Sequence, residues 1–114
     1  NMNSILNSIK KLLGIEAEDP SFDTDIIINV NTALMILNQL GLGPEGGFSI
    51  YDSTAMWSDF LEDNKNLEAV KSYVYLKVRL TFDPPSSSAV IESMQRQINE
   101  LEWRLSVQAD SGGD

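Results

Sequence analysis

The sequence predicts a mainly α-helical domain of about four helices, interrupted by one long loop that contains a short extended segment. Three observations carry this. Apolar residues recur three and four apart over four stretches, glycine and proline fall between those stretches, and only one tetrapeptide alternates with a period of two. At 114 residues and 42% hydrophobic composition, the chain supports one core and one domain, assigned to residues 1–108, with 109–114 as a flexible C-terminal tail.

The first helix opens at Ser4 and carries Ile5, Leu6, Ile9, Leu12 and Leu13 on one face. Gly14 is placed to end it in a left-handed cap. Glu16, Glu18, Asp19, Pro20 and Asp23 make the next stretch a polar connector, and Asp23 or Thr24 is suited to accept from the free amides of a following helix. That second helix spans about 25–40. Ile26, Ile27, Val30, Ala33, Leu34, Leu37 and Leu40 form a wide stripe, which Ile28, Met35 and Ile36 extend almost all round. A helix so apolar is either central or shared with a neighbour. Asn29, Asn31 and Asn38 are mediocre helix formers, so packing must hold it.

Gly41, Gly43, Pro44, Gly46 and Gly47 break the periodicity, and Phe48-Ser49-Ile50-Tyr51 then alternates as a short strand or extended arm would. The loop from Gly41 to about Lys65 is too long for a plain connector, and excursions of that length usually carry contacts or function. One helical turn is expected around Trp57, Phe60 and Leu61, ended by Asp63-Asn64. The third long helix begins at Asn66 and runs to Phe82, where Asp83-Pro84-Pro85 stops it. Ser86 to Ser88 supply the next cap, and a fourth helix spans about 88–108, with Asp110 to Asp114 a loose end. Its stripe is Ile91, Met94, Ile98, Leu101 and Leu105, whereas Trp103 lies on another face. A large ring outside the core stripe suggests a partner.

Composition removes much chemistry. The chain has no cysteine and no histidine, hence no thiolate nucleophile, no Cys-ligated zinc and no imidazole base. No apolar run reaches the roughly 18–20 residues of a membrane span, and the N-terminus lacks the order of a signal peptide, so an intracellular, soluble protein without membrane partners is expected. Seventeen acids against eight bases give a net charge of -9, which opposes binding to a phosphate backbone.

Each apparent motif has a plainer structural reading. Gly41-x-Gly43-x-x-Gly46 spells a dinucleotide fingerprint but follows a helix instead of a strand, so a cap and turn is preferred and no cofactor is expected. Asp19, Asp23 and Asp25 lack the spacing, turn glycine and downstream acid of a calcium loop, and read as helix N-terminal carboxylates, leaving no metal site. Glu62 with Asp63, and Asp52 with Asp59, read as solvated loop charges because nothing places them in an apolar pocket. Lys71, Lys77 and Arg79 with Tyr73 and Tyr75 look like a nucleic-acid surface, but 77 and 79 diverge by about 200° around a helix. Pairing of these bases with acids is preferred. Catalytic residues are therefore absent from this reading, and the chain is not read as an enzyme. Trp57 is read as a core filler under the long loop or as an interface anchor; for Trp103 the anchor is preferred.

The combination of Ile9-Lys10-Lys11-Leu12-Leu13-Gly14-Ile15, the acidic turn before Asp25, Leu37-Asn38-Gln39-Leu40-Gly41, and Leu67-Glu68-Ala69-Val70-Lys71 leading to Leu80-Thr81-Phe82-Asp83-Pro84-Pro85 resembles the head-tail connector (head-completion adaptor) proteins of tailed bacteriophages, closest to those of long-tailed phages of Gram-positive hosts. The resemblance covers nearly the whole chain. It implies a virion structural adaptor: a homo-oligomeric ring, usually dodecameric, that sits under the portal protein in the neck, extends the DNA channel without binding DNA specifically, and docks stopper or tail-completion proteins. Assembly in the host cytoplasm follows from that role. It also implies docking by segments 106–114 and 41–51. Interface candidates are Trp103, Val107, Ile28, Met35, Ile36, Phe48, Ile50, Tyr51 and Trp57. The alternative from another class is a small helical DNA-binding regulator of phage origin, against which the net charge argues; a carboxylate enzyme ranks behind both.

Overall fold

A computed structural model describes residues 4–61 and 65–112. Helix α1 covers Ile5–Leu13, and Ser4 caps it by accepting the Asn7 amide on its hydroxyl at 3.2 Å. At the other end Gly14 sits at φ 82°, and the Ile15 amide reaches back to the Lys10 carbonyl at 2.8 Å, satisfying a carbonyl that the helix leaves open. Ile5, Leu6 and Ile9 face the core.

Helix α2 runs Asp23–Gln39, two residues earlier than expected, because Asp23 and Asp25 occupy the first turn where carboxylates meet the positive end of the helix dipole. Its core face is Ile26, Val30, Ala33, Leu34 and Leu37. Asp23 also reaches back to α1. The Lys10 ammonium, itself buried, lies 2.7 Å from Asp23 Oδ1 and donates to the carbonyls of Ala17 and Asp19 at 3.0 and 2.7 Å. Two main-chain carbonyls take hydrogen bonds from the ammonium and the Asp23 carboxylate balances its charge, which is what allows a lysine to be buried.

The short helix α3, Trp57–Phe60, is the expected turn, started by the Met56 amide donating to Asp59 Oδ2 at 2.9 Å. It ends at Phe60, with Leu61 already extended as its C-cap, earlier than the expected stop at Asp63-Asn64, residues that lie outside the described ones. Helix α4, Leu67–Phe82, buries Val70, Tyr73, Val74, Leu76 and Val78, and packs against α1, α2 and α5. It is the central element. Arg79 closes it by donating Nε to the Asp83 carbonyl ahead of the two prolines. Helix α5, Ser88–Gly112, buries Met94, Ile98 and Leu105, with Ile91 and Leu101 partly covered. Each fully buried aliphatic side chain of this kind contributes about 1.5–3 kcal/mol.

Two boundaries differ from the sequence reading. Phe48 to Tyr51 forms no strand, and among the described residues the β-type pairing is a single bridge between Ser4 and Met56. α5 continues to Gly112 in place of stopping at Gln108. Its added turn has packing support: a Cβ placed on Gly41 would lie 3.1 Å from the Ala109 methyl, so the end of α5 rests against the loop leaving α2. The domain measures 42 × 35 × 20 Å, a flattened body with broad faces.

Candidate interaction site

Trp103 is 68% exposed, on the face of α5 opposite the buried stripe. Val107, one turn on, is also exposed, so the two make an apolar ridge. Arg104 and Glu100 beside them form a 2.9 Å ion pair that is itself exposed and contributes little to folding. None of these side chains is needed by the core.

A second apolar surface lies on α2. Ile28 is 58% and Met35 53% exposed, two turns apart on one face. Ile36, also expected there, is only partly exposed and packs against the core cluster. At the Ile28 end, α2 and α4 border an open groove of about 700 Å³ lined by Leu13, Ile15, Phe22, Ile28 and Phe82, with Asp25, Asn29, Thr81 and Asp83. Phe22 and Phe82 meet there edge to face, ring centres 5.4 Å apart. At the Met35 end a second groove of about 520 Å³ separates α2 from the loop, with Phe48 and Tyr51 in its lining. Tyr51 is almost fully exposed, while Phe48 is half-buried against the Phe60 ring at 5.5 Å.

Two expected interface residues are core residues. Ile50 is fully buried, its amide donating to Asn31 Oδ1 at 2.7 Å and its carbonyl accepting from Asn31 Nδ2 at 3.0 Å. The asparagine side chain thus supplies what a neighbouring strand would, so alternation at 48–51 reports loop anchoring in place of a ladder. Trp57 is 1% exposed and donates Nε1–H to the Ser8 hydroxyl at 2.8 Å, which satisfies its polar atom inside the core. Its core-filler reading holds and its anchor reading falls. Sequence reading missed Phe22, exposed at the groove; the available signal was an aromatic residue stranded within a polar connector.

The charged groups serve local structure. Asp52 accepts from the Thr54 hydroxyl and amide, which hold its carboxyl below the usual range, and Asp59 starts α3; Glu62 and Asp63 lie outside the described residues. Asp19 is likewise lowered by hydrogen bonds from Ser21. Arg79 reaches the Tyr75 hydroxyl and Asp83, and Lys71 lies 3.9 Å from Glu68, so two of the three bases of α4 meet groups of their own helix ends. Tyr73 is buried and donates to Glu102 at 2.6 Å; burial first, then the hydrogen bond and charge of Glu102, push its phenol far above the ordinary value. Among the described residues no three acids converge on a metal-sized site, and no helix is long and apolar enough to cross a membrane.

The described residues thus present two uncovered apolar surfaces on one acidic helical domain. A family model described as phage connector protein matches residues 5–112. The chain belongs to that family. The match spans every helix of the domain, and the resemblance carried by the sequence motifs is thereby established at family level, with a structural role of phage-connector type. No curated protein and no solved structure matches this connector.

Proposed function

We propose that this connector is a head-tail adaptor of the virion neck, which self-associates into a ring beneath the portal, lengthens the DNA channel and receives a stopper or tail-completion protein. One observation carries the reading beyond the family match: the folded subunit leaves two separate apolar surfaces uncovered, Trp103–Val107 on α5 and Ile28–Met35 on α2. A ring uses heterologous contacts, so each subunit needs two different adhesive faces, and these two surfaces on different helices supply a pair. The net charge of -9 supports the channel role, because like charge opposes retention of a passing phosphate backbone. Exposed Tyr51 at the loop, and the far end of α5, supply segments for the portal and the next neck protein.

The test is light scattering and negative-stain microscopy of the purified protein, alone and with its portal. Closed rings, or ring-shaped density added to the portal, are the expected result. A closed dimer as the final species, or tight and salt-sensitive retention of duplex DNA, would overturn the reading.

A further inference from the structure

The two apolar surfaces differ in shape. Trp103 and Val107 form a ridge on α5, whereas Phe22, Ile28 and Phe82 border a groove. They differ in charge as well. The groove carries two carboxylates and no base in its lining, and Asp25, exposed at its rim, has no ion-pair or hydrogen-bond partner among the described residues. On α5, exposed Arg96 lies two turns before Trp103 on the same face and also has no partner among the described residues. Glu100, one turn after Arg96, is neutralised by Arg104, and exposed Glu92 lies one turn before Arg96. In a chain with eight bases against seventeen acids, an unpaired base two turns from an exposed tryptophan on the same helix face is a scarce complement to an unpaired acid beside an apolar groove.

We propose that the occupant of the groove is a second copy of this chain: the α5 ridge of one subunit seats in the α2–α4 groove of the next, Trp103 covering Phe22, Ile28 and Phe82 while Arg96 meets Asp25 at the rim. This rests on the self-association reading above and assigns its contact. Ridge and groove lie on different elements, so each copy offers both halves of the contact, and a head-to-tail arrangement repeats it from copy to copy. A buried tryptophan covers about 150–250 Å², which places the centre of the interface at this ring.

The cysteine-free chain allows a direct test by disulfide trapping. Ser106→Cys marks the ridge and Asn29→Cys the groove, leaving Trp103 and Ile28 in place. Oxidation of an equimolar mixture should give the mixed dimer well above either self-dimer, and the double variant should give a ladder. Adding Trp103→Glu to the Ser106→Cys chain should cut the mixed dimer by about tenfold or more, the scale of an anchor residue. Arg96→Glu should weaken trapping, and Asp25→Lys on the partner should restore it. Circular dichroism of each variant separates loss of contact from loss of fold. A predominance of Ser106→Cys self-dimers, or no mixed dimer from folded variants, overturns the assignment. Wild-type rings without mixed trapping would remove this contact and leave the adaptor reading standing; absence of rings with and without portal would remove that reading itself.

Discussion

The Asn31 carboxamide meets both polar groups of the Ile50 main chain, accepting its amide at 2.7 Å and donating to its carbonyl at 3.0 Å. A side chain in the middle of α2 therefore fixes the far loop by the same pair of bonds that one strand gives another. Asn38, two turns later, extends the device by donating to the carbonyls of Leu42 and Pro44. Asn31→Leu leaves the buried Ile50 groups without partners and should destabilise the domain by about 1–3 kcal/mol in urea unfolding. Asn31→Asp keeps the acceptor but loses the donor, so it should also destabilise.

Gly43 adopts φ 81°, and a Cβ there would sit 2.4 Å from the Phe60 ring. Gly43→Ala combines left-handed strain with a collision and should cost about 2 kcal/mol or more. Gly46 has neither constraint, with open space where its Cβ would be, and Gly46→Ala should be close to neutral. Paired thermal melts of the two variants measure the difference.

Tyr73 gives a stability term in alkaline solution. Its folded phenol holds the proton above the ordinary value of 10.0, so the unfolded chain loses that proton first as pH rises. The contribution is complete below about pH 10 and declines above it, by at most about 1.4 kcal/mol per pH unit for one proton. Tyr73→Phe lacks this term. Denaturation profiles of wild type and Tyr73→Phe should therefore converge as pH climbs past 10, and a constant gap would contradict the assignment.

The two tryptophans should respond oppositely to truncation. Trp57→Ala empties a buried site and removes the Ser8 bond, with an expected cost of about 3–5 kcal/mol. Trp103→Ala should leave far-ultraviolet circular dichroism and melting nearly unchanged, while self-association falls. In Trp57→Phe protein, where tryptophan emission under tryptophan-selective excitation comes from Trp103 alone, acrylamide should quench the free subunit strongly and the assembled one weakly.

How much of this was legible follows from the range of each interaction. Helices α1, α4 and α5 and the Gly14 cap rest on local periodicity and cap chemistry, which the sequence displays directly. The placement of Trp103 off the α5 stripe was legible for the same reason. Ile50 was not, because it is held by Asn31, 19 residues away in the chain; for Trp57 the core-filler reading was available, but its Ser8 partner, 49 residues away, was not. An asparagine inside a helix looks like a weak helix former until its loop partner is known. The groove beside Phe22 needs α2 and the end of α4 together, so no single segment announces it.

The buried ammonium of Lys10 has a practical consequence. Lys10 is 1% exposed, held by the Ala17 and Asp19 carbonyls beside the Asp23 carboxylate, so an acylating reagent cannot reach its nitrogen while the segment between α1 and α2 stays in place. Labelling at this one amine then counts molecules that have opened at the α1–α2 junction, and the kinetics of its acylation become a clock for that opening.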